Sequence, residues 1–134
     1  MAIQYSTTHR TNAMTQLNTD IGASCVIKIW TGSAPANCGT ADTGTLLVTF
    51  AGNAGGFGTV LTGVLTASAI ANATASGTGT AGYFRIYPTA ATSTNAVVQG
   101  TVGTSGTDMI VTNTNINSGQ SIVFSSMTVT AYGA

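Results

Sequence analysis

Beyond Gly22 the chain carries no helical period, only short apolar runs cut by Gly, Thr, Ser and Asn. Residues 25–31, 45–50, 59–67, 83–87, 97–102, 109–112 and 121–131 each have strand length and strand composition. In 59–67, Val60, Thr62 and Val64 alternate with Leu61, Gly63 and Leu65, which reads as one strand. Near the end, Val123, Met127 and Val129 oppose Ser126, Thr128 and Thr130. Short strands joined by Gly-rich turns predict an all-β fold, a two-sheet antiparallel sandwich resembling a jelly roll. Residues 51–58 and 67–82 are weakly patterned, and part of the second is expected to pair as a strand of small residues.

One helix precedes the strands. Ala13, Met14, Leu17 and Ile21 recur at three- and four-residue spacing and form a narrow apolar stripe that is expected to pack on one surface, either its own sheet or a neighbour. Ser6, Thr7 or Thr8 can supply the N-cap oxygen, and Gly22 suits a positive-φ stop. The helix is predicted over 8–21. The chain then divides into an N-terminal arm and helix, 1–22, and a β-sandwich domain, 23–134.

Charge is nearly absent. Three basic residues (Arg10, Lys28, Arg85) balance three acidic ones (Asp20, Asp42, Asp108) among 134, and there is no Glu. Ordinary soluble domains are about a quarter charged, and charge discourages association. Much of this surface is therefore expected to face other protein. Sheet edges are normally guarded by Lys or Pro, and one Lys and two Pro leave little for that task, so the edges are expected to be covered by loops or by other subunits. Both points predict self-association. A basic footprint for nucleic acid is missing. No apolar run suggests a secretory signal, and none has the length of a membrane-spanning helix. No nucleic-acid or membrane partner is expected.

The chemistry-bearing residues are few and scattered. His9 sits beside Arg10 at the helix start with no motif around it, and a solvated or interface role is the expectation. Cys25, Cys38 and one His do not make a zinc set, and three isolated Asp do not make a calcium loop. The two cysteines are expected as free thiols. No catalytic residue, metal or cofactor is predicted, so the chain reads as a non-enzyme. Trp30, Tyr83 and Tyr87 could stack on a sugar, but aromatics in apolar strands more often form core. Ile27-Lys28-Ile29-Trp30 echoes Phe84-Arg85-Ile86-Tyr87, either by coincidence or as equivalent strands of two half-sandwiches. In both, the basic residue is expected to point outward.

Ala2-Ile3-Gln4-Tyr5-Ser6, then Trp30-Thr31-Gly32-Ser33-Ala34-Pro35-Ala36-Asn37-Cys38 and Asp42-Thr43-Gly44-Thr45-Leu46-Leu47, resemble small structural proteins of tailed bacteriophages and prophages. So do Gly79-Thr80-Ala81-Gly82-Tyr83-Phe84-Arg85-Ile86-Tyr87, Gln99-Gly100-Thr101-Val102 and Gly106-Thr107-Asp108-Met109. The likeness covers most of the chain in order and departs over 51–75. It implies a virion protein, a head decoration or cement protein on the outer surface of the capsid, forming a homotrimer and bridging major capsid protein subunits. A tail or fibre component of the same virion is the first alternative, a carbohydrate-binding β-sandwich the second. The expected assembly contacts are Ile3, Tyr5, His9, Arg10, Met14, Leu17 and Tyr132.

Overall fold

A computed structural model describes residues 2–89 and 91–133. Met1 and Ala134, the outer ends of the expected arm and β-domain, lie outside the described residues, as does Ala90. The helix, α1, spans Thr7–Ile21. The Ser6 hydroxyl accepts the His9 amide, and Gly22, at φ 75°, closes the helix by donating its N–H to Asn18 O. Only Ile21 of the predicted stripe is fully buried; Met14 and Leu17 are half-buried against the core, and Ala13 is exposed.

The strands are β1 (Val26–Thr31), β2 (Leu46–Ala51), β3 (Gly58–Leu61), β4 (Val64–Ala67), β5 (Ala73–Thr74) and β6 (Gly79–Tyr87). They continue with β7 (Val98–Gly103), β8 (Met109–Ile110), β9 (Asn115–Ile116), β10 (Ser121–Ile122) and β11 (Ser126–Thr130). Nine of them form one sheet in the order β2-β1-β6-β7-β8-β11-β4-β3, with β9 on β6; β5 and β10 make a separate ribbon. The expected two-sheet antiparallel sandwich is thus replaced by a single curled sheet, mixed because β7 and β8 run parallel. The curl follows from the core. Ile27, Phe50 and Phe84 at one end of the strand order share a cluster with Leu65 and Met127 at the other, which a flat sheet could not achieve.

Residues 59–67 are not one strand. Thr62 and Gly63 both have positive φ, 49° and 81°, which is the two-residue primed turn that suits a hairpin. The segment folds back there, pairing Leu61 with Val64 and Gly58 with Ala67. The expected final strand 121–131 divides into β10 and β11. The small-residue stretch 67–82 does contribute a strand, β5, and also the first residues of β6.

At each end of the sheet the chain itself meets one residue of the edge strand. At β2, the Ser76 and Gly77 amides donate to Leu47 O at 2.8 and 3.2 Å. A Cβ on Gly77 would sit 2.2 Å from Leu46 O, so only glycine can approach so closely. At β3, the Asn18 side chain of α1 donates to Gly58 O and accepts the Gly58 amide, at 3.0 and 3.2 Å. At Leu47 and Gly58 the margins are thus met by a loop and a helix of the same chain, and own-chain cover is one of the two kinds expected from the scarcity of Lys and Pro.

Candidate assembly surface

The seven expected contact residues separate into two groups. Ile3, Tyr5, His9 and Tyr132 are exposed; Ile3 is 74% and Tyr132 87% accessible. Met14 and Leu17 instead pack on the chain's own core, and Arg10 is half-buried with its Cβ against the turn glycine Gly63. The narrow stripe of Met14 and Leu17, which could meet its own sheet or a neighbour, is on the face of α1 that docks on β3 and β4.

The exposed members meet at one end of the molecule. The Tyr5 amide donates to Gly133 O at 2.9 Å, and the Tyr5 ring lies where a Cβ on Gly133 would fall. The Tyr5 and His9 rings are 5.0 Å apart. Next to this junction of the two chain ends, the Ala131 amide donates to Gly63 O, tying β11 to the β3–β4 turn. Leu61, 74% exposed, stands at that turn. Sequence reasoning missed it because the Thr62-Gly63 turn was read as mid-strand; recognised as a turn, it places Leu61 at a hairpin tip. Ile3, Tyr5, Leu61 and Tyr132 thus give this end four of the five large exposed apolar side chains among the described residues.

A second cluster is polar and buried. Arg85 was expected to face outward, and it does lie on the sheet face away from Phe84 and Ile86, but the loop 32–45 covers it completely. Its Nη1 donates to Asp42 Oδ1 at 2.8 Å, to Thr40 O at 2.8 Å and to Ser93 O at 3.2 Å. Nη2 donates to Asn37 O and Gln99 Oε1, and Nε also to Gln99 Oε1. The Gln99 amide continues to Pro35 O at 2.8 Å. The Tyr87 hydroxyl makes a short hydrogen bond to Asp42, and the Tyr83 hydroxyl donates to Thr43 O. Burial, followed by the Asp42 hydrogen bond and charge, raises the Tyr87 pKa well above the ordinary tyrosine range; Arg85 opposes the rise. Lys28 lies opposite Arg85 in the β1–β6 register, with Nζ 5.2 Å from the Tyr87 ring centroid. The two echoing segments are therefore neighbouring antiparallel strands, not counterparts in separate halves.

These groups do structural work. Arg85 and Asp42 neutralise each other, Asp108 accepts from the Thr101 amide and hydroxyl, and Asp20 accepts from Gln16. No cluster of three His, Cys, Asp or Glu residues that could hold a metal occurs among the described residues. Cys25 and Cys38 are free thiols, and burial raises the Cys25 pKa. Trp30 is half-buried, stacked on the buried Tyr83 at 6.4 Å between centroids. Comparisons with protein-family models, curated proteins and solved structures find no match to this chain.

Proposed function

We propose that the chain is a non-enzymatic virion structural protein, a capsid decoration or cement protein on the outer surface of a phage head. It associates with itself as a homotrimer and bridges and stabilises subunits of the major capsid protein. The observation that carries this reading is the gathering of Ile3, Tyr5, Leu61 and Tyr132 at one end of an almost uncharged molecule. Apolar side chains with that exposure mark a surface that meets other protein, and aromatic residues are favoured at the centre of such contacts. The resemblance of the arm and of the 30–47 segment to phage structural proteins supplies the kind of assembly. Engagement of the three carboxylates in internal hydrogen bonds agrees with a scaffold role.

The test is binding to purified heads that lack the protein. Saturable binding at capsid local threefold positions, with a rise in the temperature at which heads open, is the expected result. Replacing Tyr5 and Tyr132 together by Ser should weaken binding at least about tenfold, the loss expected for two interface aromatics. Immunogold label confined to the tail would replace the reading with a tail component. Sugar binding by an isolated monomer, abolished by Trp30→Ala, would replace it with a carbohydrate module.

A further inference from the structure

The strand order contains a gap that the chain does not fill. β8 is only two residues long and separates β7 from β11 at one level alone, where Val102 and Gly103 pair with Met109 and Ile110, and these with Met127 and Ser126. Away from β8, Val98 to Thr101 pair with β6 on one side and Thr128 to Thr130 with β4 on the other. Because β8 occupies one place between them, the two strands stand two inter-strand spacings apart, about 10 Å. The gap is therefore one strand wide. It is an open cleft of about 400 Å³ lined by Val98, Gln99, Asp108, Thr128, Val129 and Thr130.

The main chain on both walls points into it. The Thr101 amide faces the gap, where the Asp108 carboxylate takes it at 2.9 Å. Strand groups alternate sides every residue, so the Gln99 amide and carbonyl face the gap as well. On the other wall the Ala131 amide turns to Gly63 O on the β4 side, so Thr130 and Thr128 turn toward the gap. Side chains alternate with them. Val98, Gly100 and Val129 lie on the core side; Gln99, Thr101, Thr128 and Thr130 lie outside. A Cβ on Gly100 would fall 2.8 Å from both the Phe84 ring and Asp108 Oδ2, so the floor there is bare main chain with those two groups close against it.

The chain also carries a strand pattern without a sheet. In Ala2-Ile3-Gln4-Tyr5-Ser6 the larger apolar residues, Ile3 and Tyr5, alternate with Ala2, Gln4 and Ser6. Residues 2–6 belong to no strand and are exposed throughout; the arm is held to its own chain by the Tyr5 contacts with Gly133, which seating it elsewhere exchanges, and by the Ser6 cap of α1. Five extended residues span about 16 Å, against about 13 Å for the four residues of the β7 wall. The segment has no charged side chain, and neither does the cleft apart from Asp108 at its closed end.

We infer that the cleft between β7 and β11 is a receptor for an extended strand, and that its occupant is the N-terminal arm, residues 2–6, of a second copy of this chain. Ile3 and Tyr5 then face Val98 and Val129, while Gln4 lies beside Thr128 and Thr130. Strand addition of this type takes its affinity from main-chain hydrogen bonds and its register from alternate side chains. It explains the exposure of the arm and the open rung with a single contact. The inference goes beyond the capsid reading and does not depend on it.

The test uses two full-length chains, both carrying Cys38→Ser, one with Gln4→Cys and the other with Thr128→Cys, mixed under mild oxidation. All the substituted positions except the half-buried Cys38 are exposed. The expected result is a disulfide-linked pair of unlike chains, about tenfold more abundant than with Thr49→Cys, an exposed position on β2 far from the cleft, because seating the arm raises the local thiol concentration. Deleting residues 2–5 should convert the multimer to monomer in a mass measurement. A cross-link no better than the Thr49→Cys control overturns the inference. So does a disulfide that forms only within a chain carrying both Gln4→Cys and Thr128→Cys, which would make the arm the occupant of its own cleft. Unchanged multimer mass after the deletion also overturns it. No capsid enters the experiment, so its failure leaves the capsid reading standing.

Discussion

Arg85 is fully buried, and all three of its guanidinium nitrogens donate hydrogen bonds. A planar fork can bond the Asp42 carboxylate, three loop carbonyls and the Gln99 amide oxygen at once; an ammonium cannot. Arg85→Ala would strand the Asp42 carboxylate, whose side chain is 9% exposed. A loss of about 3–5 kcal/mol in urea unfolding is expected. Replacing both partners, Arg85→Met with Asp42→Leu, should cost clearly less than Arg85→Met alone, because no buried charge is left over. Tyr87 makes the same network sensitive to base. Its pKa in the folded chain is raised, mainly by burial and then by Asp42, above an unfolded value of about 10. The contribution from the protonated phenol is therefore complete below about pH 10 and fades as pH climbs through the range above it. At neutral pH Tyr87→Phe should cost about 2 kcal/mol, the worth of a hydrogen bond to a charged acceptor. Unfolding curves taken at rising pH should show that deficit shrinking above about pH 10; a constant deficit would refute the assignment.

Among the elements, what sequence showed well was local and what it hid was long-range. α1 was legible because its cap, stripe and stop lie within a few residues of one another: Ser6, then Met14, Leu17 and Ile21, then Gly22. The hairpin at Thr62-Gly63 was hidden because Val60, Val64 and Leu65 alternate through the turn as if it were strand. The burial of Arg85 was hidden for a different reason. Alternation places its side chain on the outer face correctly, but nothing within the strand reports that the loop 32–45 folds over that face. Of the expected contact residues, Ile3, Tyr5 and Tyr132 are exposed outside any strand, while Met14 and Leu17 lie half-buried on the chain's own core, because a stripe does not say whether it meets its own sheet or a neighbour. Covering of the β3 edge is equally long-range, since Asn18 reaches Gly58 across 40 residues of chain. Asn18→Ala removes both of these bonds and leaves the Gly58 amide and carbonyl with no side-chain partner. A loss of about 1–3 kcal/mol is expected, with faster amide exchange concentrated in β3 and β4. Uniform exchange across the sheet would mean that the helix does not protect that edge.

For the molecule as a whole, low charge and the sheet ends have to be considered together. The end strands β2 and β3 are met at Leu47 by residues 76–77 and at Gly58 by α1. What the fold leaves unmatched is the open, largely polar rung beside β8 and, on the surface, the apolar residues Ile3, Tyr5, Leu61 and Tyr132. Of the three cations, Arg85 is neutralised inside the fold and Lys28 lies over the Tyr87 ring, while Arg10 is half-buried on the Gly63 turn. Few charges remain with which an interface could be made by ion pairing. Association should accordingly be indifferent to salt. Raising NaCl from about 0.05 to 1 M shortens the screening length to about 3 Å and weakens contacts between exposed charges, yet leaves main-chain and apolar contacts in place. Mass measurements across that range should give the same multimer, and capsid occupancy should stay constant. Dissociation at high salt would mean that charged groups hold the copies together, and an interface built from this chain's exposed apolar residues and open strand edges would no longer account for its assembly.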